Sequence, residues 1–375
     1  MEARASTRFM RRALDEAAKA VGDTSPNPAV GAVLVKNGRV IGRGYHRQAG
    51  LPHAEIEALR RAGSRARGST LYVTLEPCAH VGRTPPCCEA LIHAGVSRVV
   101  AAMTDPNPLT NGRGLARLRQ AGVRVEVGLL QEQARALNAP FCKTITTGLP
   151  YVTAKIAQSI DGKIATTRGE SNWISSERAR ALAHRLRREA DAVLVGINTV
   201  LTDNPRLTAR DPARAPRPNR PIRVIVDSRL RTPPSSRCLS ARPKAPVVIA
   251  TTNSSRTARA ALERRGAEVR IFPPICDFER PRVPLALLLR RLVTEYGATS
   301  TLLEGGGELL AGALRERLVD RVVWIVAPLI IGGRASPSSV GGDGVSSLQQ
   351  AIQLRNVSVE RVGPDLICQA DVVYP

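Results

Sequence analysis

Apolar residues recur at helical spacing near the start of the chain, at Phe9, Met10, Ala13, Leu14, Ala17 and Val21, and Gly22 stands where that helix would stop. The stretch AVGAVLVKNGRVIGRGYH then reads as two strands joined at Asn37-Gly38, a dipeptide that favours the tight turn of a hairpin. The spacing predicts a helix from about His53 to Ala62. STLYVTLEPC reads as a strand running into a helix that starts at its Pro-Cys. A helix in CCEALIHAG, a strand in VSRVVAAM, a helix in GRGLARLRQAG and a strand in VRVEVG follow. The order α-β-β-α-β-α-β-α-β predicts a three-layer α/β domain.

The pattern changes near NAPFCKTITTGLP. YVTAKIAQSIDGKIA opens a new strand, and a helix follows from about Ser176 to Glu189. Further strands are predicted in DAVLVG, PIRVIVDS, PVVIAT, EVRIF and STLLEGG, and QLRNVSVERVGPDLICQADVVY reads as an antiparallel pair. ARDPARAPRPNRP, rich in Pro and Arg, is expected to be a surface loop. A chain of 375 residues is longer than one hydrophobic core usually spans. Two domains are therefore expected, residues 1–147 and 148–375, both α/β.

Composition narrows the class. At 43% hydrophobic and only 3% aromatic, the cores must be aliphatic. No apolar run approaches the roughly 20 residues needed to cross a membrane. The opening MEARASTRFMRRALDEAAKA lacks the apolar core of a secretory signal, so a soluble cytoplasmic protein is expected. A net charge of +23 raises the question of nucleic acid. The arginines that carry it are spread along the chain rather than gathered, and no RNA-binding aromatic motif accompanies them. The charge is read as background bias, part of it serving anionic ligands. No nucleic-acid or membrane partner is expected.

Candidate chemistry begins with cysteine. Three of the seven, Cys78, Cys87 and Cys88, fall within eleven residues, which points to metal or catalysis rather than to a disulfide scaffold. His53 and Glu55 stand two residues apart at the predicted helix start. One His and two Cys suit zinc, and three protein ligands leave a fourth position for a water whose pKa falls toward about 7. Glu55 can face that water without being a ligand. His53, Cys78 and Cys87 are the candidate ligands. Cys87 is preferred to Cys88 because it follows the prolines that start a helix, and Cys88 would point about 100° further round. Each piece alone is weak; His-x-Glu and Pro-Cys are mostly surface features, and adjacent cysteines are often core residues. Together they match the H-x-E…P-C…C pattern of zinc nucleobase deaminases, with AHVGRTPP looped out between the cysteines.

HAEIEALRRAG, YVTLEPCAHVGRTPPCCEALIHAGVSRVV and DPNP together resemble the deaminase half of the bifunctional riboflavin-biosynthesis deaminase/reductase family. KIAQSIDGKIA, GESNWIS, GINTVLTDNPRLTAR and PIRVIVDS resemble its reductase half, so the likeness covers nearly the whole chain. It implies a cytidine-deaminase-like first domain and a dihydrofolate-reductase-like second domain that uses NADPH. The substrate implied is 2,5-diamino-6-ribosylamino-4(3H)-pyrimidinone 5′-phosphate, deaminated at ring carbon 2 with Glu55 shuttling protons. Its ribosyl group would then be reduced to ribityl.

The same resemblance places Asn27, His46, His80, Asp105 and Asn107 in the deaminase pocket. Asn27 and Asn107 stand in Asn-Pro dipeptides, which also simply make turns. It places Ala157, Trp173, Thr199, Asp203, Ser228, Gly306 and Gly307 against the cofactor. Ser171, Arg187, Leu207, Arg210 and Glu304 would contact the substrate, and Lys155 could orient it. Arginines suit a ligand that keeps its 5′-phosphate. Independently of the resemblance, STLLEGGGELLAGAL reads as a strand, three glycines and a helix, a place where backbone approaches phosphate. No G-x-G-x-x-G with a downstream acid is present. His93 and His184 match no site motif and read as ordinary helix residues. The family typically forms homo-oligomers. Two rival functions remain at this point: a tRNA deaminase with an accessory domain, and a scaffold with a structural zinc only.

Overall fold

The computed structural model describes residues 2–79, 86–210, 217, 220–241, 245–275 and 281–375. The chain divides into two units, Met1–Gly148 and Leu149–Pro375.

The first unit runs α1 (Glu2–Ala18), β1 (Gly31–Lys36), β2 (Arg39–Tyr45), α2 (Ala54–Ala62) and β3 (Thr70–Val73). It continues with α3 (Cys87–His93), β4 (Arg98–Ala101), α4 (Arg113–Gln120), β5 (Arg124–Val127), α5 (Gln131–Leu137) and α6 (Ala139–Thr147). The sheet order is β2-β1-β3-β4-β5, with β1 antiparallel to both neighbours and β3, β4 and β5 parallel. Asn37 and Gly38 form the predicted turn, both at positive φ. Glycines set where the helices lie. A Cβ on Gly31 would strike the backbone of Ala13 in α1, and one on Gly44 would strike that of Ala54 in α2. Gly44 pairs with Ala32, whose side chain points opposite to that of Gly31, so α1 and α2 cover opposite faces of the sheet. Close approach of α2 is what brings His53 and Glu55 to the sheet.

One expectation fails here. No helix starts at Pro77-Cys78; that segment is irregular, and the helix begins at Cys87 with Pro86 as its N-cap. A helix entered at Cys78 would have to carry Pro85 and Pro86 in its interior, where proline removes a hydrogen bond and clashes with the preceding turn.

The second unit contains β6 (Tyr151–Ser159), α7 (Glu177–Glu189), β7 (Ala192–Gly196), α8 (Ile197–Asp203) and β8 (Ile222–Val226). Next come α9 (Arg237–Ser240), β9 (Val247–Thr251), α10 (Arg256–Glu263), β10 (Glu268–Ile271) and α11 (Leu285–Tyr296). The chain ends with β11 (Ser300–Glu304), α12 (Gly307–Arg315), β12 (Arg321–Ala327), β13 (Gln353–Val362) and β14 (Asp365–Val373). The sheet order is β10-β9-β8-β7-β11-β6-β12-β14-β13. Strands β10 to β12 are parallel to their neighbours, and β14 and β13 close the sheet antiparallel. Strand β12 was missing from the sequence reading, and β11 inserts between β7 and β6. Its register sets Glu304 directly beside Lys155. Side chains at paired positions share a face, so acid and base meet where β11 ends beside the middle of β6, and open α/β sheets hold ligands beyond the carboxyl ends of their strands.

The Pro/Arg-rich segment is not merely a surface loop. Residues 211–216, 218 and 219 lie outside the described residues, but Arg217 is buried and donates to Asp191 Oδ1 at 3.1 Å. Arg220 donates to the Tyr296 carbonyl at 2.8 Å.

Candidate metal centre and cofactor cavity

His53 is the N-cap of α2 in extended conformation, and Glu55 follows in the first turn. The nearest ligand atoms are His53 Nδ1 and Cys87 Sγ at 3.2 Å, with Cys78 Sγ 3.6 Å from the same nitrogen. All three lie within 4.8 Å of one another. Zinc bonds of about 2.3 Å to sulfur and about 2.0 Å to nitrogen span tetrahedral edges of about 3.5 Å. The donor set and its spacing therefore fit zinc, and a fourth position remains without a protein ligand among the described residues. Cys88, next in α3, packs in the hydrophobic core instead.

The electrostatics suit a cation. A hydrogen bond from Cys87 lowers the Cys78 thiol to about 4 against the opposing effect of burial, with His53 assisting. The Cys87 thiol is raised, because it shares its proton with Cys78 and is buried. Glu55, only 3% exposed, is pushed up to about 7 by burial and by the charge of Cys78. It is a carboxyl poised to exchange a proton near neutrality.

Behind the cluster, the His46 ring meets the His53 ring edge-on at 5.2 Å. His46 Nδ1 lies 3.2 Å from the Pro52 carbonyl, which can only accept, so Nδ1 carries the proton and Nε2 accepts from Asn27 Nδ2 at 3.1 Å. Burial holds His46 below its ordinary value. Asn27 and His46 thus join the site as one hydrogen-bonded pair. Asp105 and Asn107 use their side chains within their own loop: Asp105 accepts from Asn107 N and Thr110 Oγ1, and Asn107 Oδ1 accepts from Leu109 N. His80 lies outside the described residues.

The sequence reading missed Glu76. Its carboxylate is 6% exposed and accepts four backbone N–H groups, from Asp105, Gly112, Gly114 and Leu115, at 2.9–3.2 Å. The residue that precedes Pro77-Cys78 therefore anchors the loop carrying Asp105 and Asn107. The only sequence signal was an acid at the end of an apolar strand.

In the second unit a cavity of about 980 Å³ opens over the ends of the central strands. That is at the upper end of ordinary ligand pockets. Of the residues expected against a cofactor, Ala157, Trp173, Thr199, Asp203, Gly306 and Gly307 line it; Ser228 does not. Ser228 lies just beyond β8, where its carbonyl accepts from Thr251 and Thr252. Of the residues expected against substrate, Lys155, Ser171, Arg187, Leu207, Arg210 and Glu304 all line it. The glycine loop fits a dinucleotide. Gly305 and Gly306 have φ of 74° and 80°, a Cβ on Gly305 would sit 3.0 Å from Thr199 Oγ1, and one on Gly307 would strike the Ser338 carbonyl. Backbone, not side chain, faces the cavity where α12 begins, as phosphate binding requires.

Charge in this cavity is balanced tightly. Arg187 grips Glu304 bidentately, at 2.8 and 2.5 Å. Burial drives Glu304 up, but Arg187 and Lys155 outweigh it and hold the carboxyl low. Burial depresses Lys155, with Glu304 and Asp203 opposing. Ser171 donates to Asp203 Oδ1 at 2.6 Å. The Leu207 side chain is part of the core, so only its backbone, at a φ of 53°, is available to a ligand. Trp173 is 71% exposed, with the Arg180 guanidinium 4.5 Å from its ring centre. His184, read as an ordinary helix residue, lines the cavity as well.

Two family models match the chain: "RibD C-terminal domain" over residues 150–368, and "Cytidine and deoxycytidylate deaminase zinc-binding region" over residues 3–103. Riboflavin biosynthesis protein RibD of Aquifex aeolicus is 44% identical over 359 residues, 96% of each chain. RibD of Escherichia coli is 40% identical, covering 96% of this chain and 97% of its own. Among solved structures, Acinetobacter baumannii RibD is similar with a TM-score of 0.88 at 36% identity over 99% of each chain. A Thermotoga maritima protein aligns over 100% of each chain at 33% identity and a TM-score of 0.84. That protein is described as a diaminohydroxyphosphoribosylaminopyrimidine deaminase/5-amino-6-(5-phosphoribosylamino)uracil reductase.

Proposed function

Because the chain belongs to the RibD family of bifunctional riboflavin-biosynthesis enzymes, a zinc-site deaminase joined to an NADPH reductase, we propose specific roles for its residues in two successive reactions. The first unit hydrolyses the 2-amino group of 2,5-diamino-6-ribosylamino-4(3H)-pyrimidinone 5′-phosphate, giving a uracil and ammonia. The second reduces the ribosyl group of that product to ribityl. The observation that carries this reading is the pairing of the His53/Cys78/Cys87 cluster beside Glu55 with a charge-balanced cavity around Lys155, Arg187 and Glu304.

His53, Cys78 and Cys87 would hold the zinc, which when bound would supply an acidified water and electrophilic assistance. Glu55 does the proton work: it takes a proton from the attacking water and gives it to the ring nitrogen, then takes the second proton from the new C2 hydroxyl and delivers it to the departing amine as the carbonyl forms. Burial keeps its carboxyl near neutrality, so both directions are accessible. His46 orients the Asn27 amide, whose Oδ1 is left to read the pyrimidine edge. In the second unit NADPH, held along Thr199, Asp203, Gly306 and Gly307, would supply the hydride that C1′ of the ribose receives. As the C1′–O4′ bond opens, O4′ needs a proton, and the half-buried ammonium of Lys155 is the acid at hand. Glu304 and Asp203 hold Lys155, while Ser171 and the backbone at Leu207 orient the sugar.

The test is a mass-spectrometric product assay on purified protein, with substrate made in place from GTP by the upstream cyclohydrolase. Deaminated product without NADPH and ribityl product with it are expected. Absence of the first product in zinc-loaded protein overturns the deaminase roles; absence of the second overturns the reductase roles.

Assembly into a homo-oligomer belongs to the same proposal. Strand β13 is outermost in its sheet and exposes Leu354, Val357 and Val359. Sedimentation at micromolar concentration should show a dimer or larger species, and a monomer would contradict this. A cytoplasmic location belongs to the same proposal, supported by the unpaired thiols of Cys88, Cys142, Cys238 and Cys368, which suit a reducing compartment.

A further inference from the structure

Helix α7 turns one face into the reductase cavity. Arg180, His184 and Arg187 recur at intervals of four and three and all line it. Two of the three are already engaged. Arg187 spends its Nε and Nη2 on Glu304 and reaches the Thr208 carbonyl with Nη1 at 3.4 Å. Arg180 stacks on Trp173 and donates to the Ser175 carbonyl at 2.8 Å.

His184 differs. Its Nδ1 is buried and has no hydrogen-bond partner among the described residues. Buried ring nitrogens are ordinarily paired, so this atom lacks something. The groups that face it are Arg187 on its own helix, Arg210 and the Thr208 carbonyl from the segment after α8, and Glu304 from β11. Glu304 cancels the charge of Arg187. Arg210 is exposed and has no acidic partner among the described residues, so the neighbourhood carries an unbalanced positive charge.

We infer that His184 is a ligand for the 5′-phosphate of the reductase substrate, acting with Arg210: the arginine supplies charge and His184 Nδ1 supplies the directed hydrogen bond. This rests on the reading that the second unit takes a phosphorylated pyrimidine. Arg187 grips Glu304 through Nε and Nη2 and so holds that carboxylate at the edge of the same pocket. Burial and the two arginines keep the His184 ring neutral at a value of about 4, with Glu304 and the Thr208 carbonyl opposing. A neutral ring that carries its proton on Nδ1 can donate it to the phosphate without a change of charge.

His184→Ala is expected to raise KM for the deaminated substrate about 10- to 100-fold, the worth of a hydrogen bond to a charged group. Reductase kcat and KM for NADPH should hold within a few-fold. His184→Gln, which keeps a hydrogen-bonding tip, should recover part of the loss. In the wild-type chain, ribose 5-phosphate should shift the His184 imidazole resonances of 15N-His-labelled protein, and unphosphorylated ribose should not. A merely structural histidine would lower stability or change both KM values together, and that result overturns the inference. So does an unchanged substrate KM in His184→Ala together with unmoved resonances. A wild-type chain that consumes no NADPH would overturn the phosphorylated-substrate reading as well as this inference, whereas turnover with an unaffected variant removes this inference alone.

Discussion

Glu55→Gln is expected to abolish deamination while the zinc and the second activity stay in place. General acid–base catalysis by one positioned group contributes about 10²–10⁴-fold, and Glu55 serves successive proton transfers, so the loss should reach the upper end of that range. The substitution is nearly isosteric at a site only 3% exposed, so packing around α2 is preserved. The metal ligands His53, Cys78 and Cys87 are untouched. Three measurements on one preparation decide the matter: zinc by elemental analysis, release of ammonia, and NADPH consumption with pre-deaminated substrate. Zinc near one per chain, no ammonia and normal NADPH consumption are expected. Residual deamination within tenfold of wild type would remove Glu55 from the proton path.

The second large effect falls on Glu304. Glu304→Ala leaves Arg187 without its carboxylate in a buried site and Lys155 with Asp203 alone. Removing one partner of a buried ion pair typically costs about 3–5 kcal/mol. The second unit should lose stability by that order and reduction should cease, while deamination continues. The double variant Arg187→Met/Glu304→Leu separates the two effects. It removes both charges of the bidentate pair and should recover most of the stability in denaturant titration, without recovering reduction. Wild-type stability in Glu304→Ala would show that the three charges are not coupled as described.

Local signals survived translation into structure, and long-range ones did not. Asn37-Gly38 was legible because the turn depends on those two residues alone. The zinc cluster was legible because its residue types are rare and their chemistry is specific. The choice of Cys87 followed from Pro86, and the structure puts Cys88 in the core. The same proline argument, applied at Pro77, failed because the later prolines forbid a helix there. Strand β12, RVVWIVA, escaped notice: a strand covered on both faces shows no alternation. Glu76 and His184 were illegible for one reason. The partners that give them meaning lie 26 to 120 residues away, on Asp105–Leu115 for the first and on Arg210 and Glu304 for the second. The net charge of +23 loses some of its mystery: Arg187, Arg217, Arg220 and Arg223 are spent inside the second unit on carboxylates and carbonyls.

The placement of β11 between β7 and β6 has a consequence for biosynthesis. Strands β6 and β7 leave the ribosome early, but the strand that joins them is not made until residue 304. Until then the sheet has a gap at its centre, two apolar edges stand open, and Lys155 has no acid beside it. Such an intermediate is slow to close and prone to pair with other chains. The first unit, complete by residue 148, faces no such wait. A stalled or truncated chain should therefore yield deaminase without reductase, and never the reverse.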